Sequence, residues 1–99
     1  MAKFDIHRRH SGSGFLLDCQ ADLLSDFNTR LVVPLLPEAD APKPAVRLNP
    51  VFEIQGQRVI MVTQFAAAVL TQELGECVGS LLAEQDAVGN ALDMLIGGF

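Results

Sequence analysis

Apolar and polar positions alternate in two stretches near the start of the chain, Phe4 to His10 and Phe15 to Gln20, and both read as extended strands. Under a period of two, Phe15, Leu17 and Cys19 share one face of the second stretch, which makes Cys19 a core residue. Ser11-Gly12-Ser13-Gly14 lies between them and predicts a hairpin turn, because its glycines permit positive φ. Leu31 to Leu36 is apolar enough for a buried strand, provided that Pro34 falls at an edge or a bulge. Pro37 to Pro44 predicts a mobile surface loop. A second hairpin is marked by Val51 to Ile54, a turn at Gln55-Gly56-Gln57, and Arg58 to Thr63. Phe65 to Leu74 is ambiguous: its alanines allow a short helix, and a strand followed by a turn at Gly75 is the other reading. Val88, Ala91, Leu92 and Leu95 then fall at i, i+3, i+4 and i+7, the stripe of an amphipathic helix that begins near Ser80 to Ala83. Gly89 inside it costs about 1 kcal/mol relative to Ala, so packing must hold this helix. The order is strands first and one closing helix, without internal repeats.

The length of 99 residues suits a single domain over 1–99 with one core. Its longest unbroken apolar run, Phe65 to Leu70, is far short of the roughly 20 residues that a membrane span needs. No cationic segment leads into an apolar one at the N-terminus, so the expectation is a cytoplasmic protein with no membrane partner. Two cysteines, Cys19 and Cys77, make no disulfide framework. The net charge of −5 is unevenly spread. All seven Lys and Arg lie at or before Arg58, where they offset seven acids, whereas Glu73, Glu76, Glu84, Asp86 and Asp93 lie in a stretch beyond it that has no Lys or Arg. That distribution argues against a nucleic-acid surface, which needs clustered cations to displace phosphate counterions. Glu73 through Asp86 read as a solubilising surface.

Little catalytic chemistry is visible. His7 and His10 flank Arg8-Arg9, but strand residues three apart point to opposite faces and the arginines repel a cation, so no metal site is expected there. Neither cysteine has a basic neighbour, and there is no nucleophile elbow or phosphate loop. No cofactor or catalytic residue is assigned. Local rules are broken at the C-terminus. The end of a helix favours cations, yet its last stretch carries Asp93, no cation, and then Gly97-Gly98-Phe99. Two glycines are an ordinary stop, but an aromatic beyond them either folds back on the core or waits for a partner.

Several stretches taken in order resemble the CcdB family of bacterial toxins, the gyrase-poisoning half of a toxin–antitoxin pair. They are "FLLDCQADLL", "TRLVVPLLP", the "LNPVFEIQGQ" hairpin and the closing "GECVGSLLAEQDAVGNALDMLIGGF". The resemblance implies a mainly β fold, a small antiparallel β-barrel with a C-terminal α-helix, that forms a homodimer with both tails near the two-fold axis. It implies no enzymatic activity; the tails enter the cavity between two DNA gyrase A subunits and trap the cleaved-DNA complex. It also implies a cognate antitoxin with a disordered tail, of the CcdA type, that neutralises the toxin and represses the shared operon with it, so that operator DNA is met only through that complex, as in plasmid maintenance. Carried over residue by residue, the gyrase-binding set is Leu23 and Leu24 after the second strand, Asp93 on the helix, and Ile96, Gly97, Gly98 and Phe99 in the tail. Where the family has Trp, this chain has Gly97, which removes a cation–π contact worth about 1–2 kcal/mol when desolvated. Phe99, two residues on, is the aromatic left to replace it. Two other readings stay open: a degenerate member that binds antitoxin but has weak or lost gyrase activity, and an endoribonuclease like the MazF group, which the acidic composition disfavours.

Overall fold

In a computed structural model that describes residues 2–98, the alternating segments of the first half pair as antiparallel strands. They are β1 (Asp5–Arg8), β2 (Phe15–Asp18), β3 (Thr29–Pro37), β4 (Val51–Ile54) and β5 (Gln57–Met61). Two further strands, β6 (Ala67–Leu70) and β7 (Cys77–Ser80), precede the helix α1 (Gln85–Gly97). The strands form one antiparallel sheet in the order β4-β5-β3-β2-β1-β7, with β6 also paired to β3. This sheet curls into a half-barrel whose concave side α1 helps to close. The fold expected from the resemblance, a small antiparallel β-barrel with a C-terminal helix, is the one observed.

Strand β3 organises the sheet. One of its edges pairs with β2; the other pairs with β6 along Thr29–Val32 and with β5 along Leu35–Pro37. Pro34 sits where the second edge changes partner. Its carbonyl accepts from Val62 N (3.0 Å) on that side, and its missing N–H faces the same break, so no ladder bond is lost. The apolar run of β3 is unbroken because both faces are covered. On the concave side Val33 and Leu35 join Ile6, Phe15, Leu17, Cys19, Val59, Met61 and Val88 in the main core. On the convex side Leu36, Ile60 and Val62 form a second, smaller cluster under Ala41.

Three expectations change. Residues 65–74 hold a strand, β6, set between single 3-10 turns at Thr63–Phe65 and Thr71–Glu73, so the helical alternative is wrong there. Pairing with β3 outweighs the helical preference of Ala67 and Ala68. The closing helix starts at Gln85, later than Ser80–Ala83, because Ser80 still pairs with Asp5 in β7 and residues 82–84 form a 3-10 turn. Finally, the proline-rich loop is tied down: Ser13 Oγ donates to Asp40 Oδ2 (2.6 Å), and Ala41 packs on the convex cluster.

Candidate functional site

Helix α1 is held by its first two turns. Val88 and Ala91 are fully buried in the core, and Leu92 packs beside them half-buried. The stripe expected to continue to Leu95 ends early, since Leu95 is 40% exposed at the core's margin. From there outward the helix projects. Asp93, Ile96, Gly97 and Gly98 are all exposed, and Ile96 is 81% open to solvent. Gly97 is the last helical residue; Gly98 alone takes the left-handed conformation (φ 77°) and donates to Met94 O (3.0 Å). The chain therefore turns at Gly98. No basic residue occupies the last turn, so the partial negative charge of the helix end and the Asp93 carboxylate are left without a cation on this element. Phe99 lies outside the described residues.

Leu23 and Leu24 occupy a 3-10 turn, Asp22–Leu24, that follows β2. Leu23 is 93% exposed and Leu24 is partly so. The turn is pinned at both ends: Lys3 N donates to Asp22 Oδ1 (2.7 Å) and Gln20 Nε2 donates to Leu24 O (3.0 Å). Gln20 also accepts from Leu31 N (3.1 Å). Phe27, exposed just beyond, extends this apolar patch and was not singled out from the sequence; an aromatic in an otherwise polar connection was the available signal. The helix packs on the turns at 63–65 and 82–84.

Beneath the first patch lies a feature that the sequence did not reveal. Asp18 and Arg30 are both fully buried on the convex face, one in β2 and one in β3. Arg30 Nε donates to Asp18 Oδ2 (2.8 Å), and Nη2 is in ion-pair contact with the same oxygen at 2.7 Å but out of line for a hydrogen bond. Gln20 N donates to Asp18 Oδ1 (3.0 Å), which joins the pair to the turn. Arg30 Nη1 has no partner among the described residues.

The remaining candidates are not assembled for nucleophilic chemistry. Burial, reinforced by the neighbouring Asp18 carboxylate and opposed by Lys3, pushes the Cys19 thiol up to about 12. It is a core residue, as its place in the alternating stretch Phe15 to Gln20 implied. His7 is buried and His10 exposed, so the two histidines do not converge. There is no enclosed pocket among the described residues.

Comparison with known proteins follows this geometry. No curated protein matches the chain. Among solved structures, a mycobacterial endoribonuclease in complex with its cognate antitoxin superposes with a TM-score of 0.76 at 13% identity, over 98% of this chain and 95% of that one. At that identity the likeness shows the fold alone. The family model described as CcdB protein matches residues 3–98, nearly the whole described chain, and the protein therefore belongs to the CcdB family.

Proposed function

We propose that this chain, as a homodimer, binds the A subunit of DNA gyrase and traps the enzyme with its DNA cleaved, without chemistry of its own. Membership of the CcdB family makes it a toxin of a toxin–antitoxin system. The finer reading is supported above all by the end of α1. An exposed apolar residue, Ile96, stands beside Asp93 on a helix terminus that has no cation of its own, a combination suited to an arginine-bearing slot on a target. Exposed Leu23, Leu24 and Phe27 offer apolar surface for a second contact. In the homodimer we propose, both tails lie near the two-fold axis and enter the gyrase A cavity together; Phe99 takes the place of the family's Trp.

A cognate antitoxin of the CcdA type, with a disordered tail that folds over the tip, completes the system and carries the complex to operator DNA. Folding on binding suits that role, since a free disordered partner is easily degraded and releases the toxin. The similar endoribonuclease was itself solved with its cognate antitoxin, which is consistent with such a partner. Its fold also keeps a ribonuclease reading in view, although the five acids after Arg58, with no cation among them, make a poor RNA surface.

Purified protein added to gyrase and supercoiled DNA is expected to yield trapped, cleaved DNA. RNA cleavage with no gyrase present would replace this reading with the ribonuclease one, and antitoxin binding without either activity would mark a degenerate member. Restoring the aromatic by Gly97→Trp is compatible with the helical backbone there and is expected to tighten gyrase binding on the order of tenfold, from a cation–π contact of about 1–2 kcal/mol. No gain would count against the assigned register of the tail.

A further inference from the structure

On the convex face of the sheet, β1 and β7 bring together three residues that the toxin activity does not use. Asp5 and His7 are two apart on β1 and so share a face, and β7 lays Cys77 opposite His7. A bulge makes that pairing. The register moves from Ile6↔Gly79 to His7↔Cys77, leaving Val78 unpaired and packed against the main core, with Cys77 turned outward. Without the bulge, Val78 would face His7. One ligand atom from each of Asp5, His7 and Cys77 lies within 4.8 Å of the other two.

The protonation pattern of His7 gives the cluster its direction. Nδ1 is 3.1 Å from Gly75 O, and because a carbonyl only accepts, Nδ1 must carry the hydrogen. In the neutral imidazole that can ligate a metal, Nε2 is then the lone-pair nitrogen. It is buried, on a side chain only 4% exposed, and has no partner among the described residues. A buried acceptor left unsatisfied costs about 1–3 kcal/mol, so this one calls for a partner that the chain does not itself supply. A histidine whose other ring N–H is fixed on a backbone carbonyl is the arrangement found at protein metal sites. The carbonyl is itself rigid: Gly75 N donates to Arg8 O (3.0 Å), and a Cβ at Gly75 would lie 2.5 Å from that oxygen, so only glycine fits.

We propose that Asp5, His7 Nε2 and Cys77 bind a zinc ion, with the fourth tetrahedral position left open to solvent. One thiolate, one imidazole and one carboxylate suit Zn²⁺ and do not suit Mg²⁺ or Ca²⁺, which take oxygen ligands. Two anionic ligands also neutralise its charge. Asp5 Oδ2 accepts from Ala2 N (2.9 Å), which leaves Oδ1 for the ion, and Cys77 makes only a weak S–H contact to Gly79 O (3.5 Å) that ionisation removes. Tetrahedral bond lengths place ligand atoms roughly 3.2–3.6 Å apart, so the half-buried carboxylate and the exposed thiol close in by about 1 Å. The neighbouring Arg8 does not oppose the ion. It points from the other face of β1 and is paired with Glu76 Oε1 (3.2 Å) and Gln55 Oε1 (3.2 Å). Bound zinc would clamp β7, an edge strand of the sheet path, onto β1.

The test is a titration of reduced, chelator-stripped protein with Co²⁺, followed by displacement with Zn²⁺. One equivalent of Co²⁺ is expected to give a thiolate-to-cobalt charge-transfer band that Zn²⁺ abolishes. The band should vanish in Cys77→Ser, persist in Cys19→Ser, and require at least tenfold more Co²⁺ in Asp5→Asn and in His7→Gln. Zn²⁺ should raise the thermal midpoint of the unmodified protein and leave that of Cys77→Ser unmoved. Should His7→Gln fail to fold, the exposed Cys77→Ser and the Asp5→Asn variants still decide the matter. The absence of a band, a band that survives Cys77→Ser, or binding indifferent to Asp5 would each overturn the proposal.

Discussion

At the scale of single residues, burial sorts side chains of one chemical type into opposite roles. Cys19 and Cys77 are the only two thiols, yet one is sealed in the core and the other is exposed. With zinc absent, one thiol per folded chain should therefore react with a disulfide reagent near pH 8, and two after denaturation; mapping the labelled peptide to Cys77 checks the assignment. The shift at Cys19 also sets a pH dependence. Its folded value lies above the ordinary 9.0, so the fold favours the neutral thiol; that contribution is complete below about pH 9 and is lost as pH rises towards about 12. Cys19→Ser, measured by chemical unfolding from pH 8 to pH 11, should flatten the alkaline loss. The buried Asp18–Arg30 pair behaves as a unit. Arg30→Met leaves an uncompensated carboxylate and should cost about 3–5 kcal/mol, whereas the double replacement Asp18→Leu with Arg30→Met should cost much less than the two single changes together. A urea-denaturation double-mutant cycle measures the difference. The pairing was not legible in the sequence, because residues 18 and 30 meet only through the register of β2 on β3.

At the scale of elements, the helix shows where pattern and packing part. Periodicity located α1 and its buried face, but its start and the end of its stripe were set by what it lies against. Ser80 is claimed by β1, which delays the helix, and the core ends before Leu95. Gly89 sits within α1 with open space where a Cβ would be, so Gly89→Ala should stabilise the protein by about 0.5–1 kcal/mol, read from its thermal midpoint. Gly98→Ala should have the opposite sign, destabilising by about 1 kcal/mol, because its φ of 77° belongs to the left-handed region. The ambiguous segment 65–74 makes the same point from the other side. Its alanines allow either state, and the free edge of β3 along Thr29–Val32 decides for a strand.

At the scale of the whole molecule, the proposed function sets the exposed apolar residues Leu23, Leu24 and Phe27 and the helix tip on a homodimer. Light scattering should report a dimer at micromolar concentration under the proposed function, and a monomer would remove the two-fold tip on which it depends. The sequence by itself determined the mainly β order with a closing helix, the burial of Cys19 and the cation-free C-terminal end, because each rests on local periodicity or on charge counted along the chain. It also carried the family resemblance, since ordered stretches over the full length do not need coordinates. Only the tertiary structure decided the convex face: the switch of neighbours at Pro34, the buried Asp18–Arg30 pair, and the meeting of Asp5 and His7 with Cys77. Those contacts span twelve residues or more and depend on strand register. A slip of one residue sends every side chain to the opposite face, and a bulge such as the one at Val78 has no local signature that would have announced it.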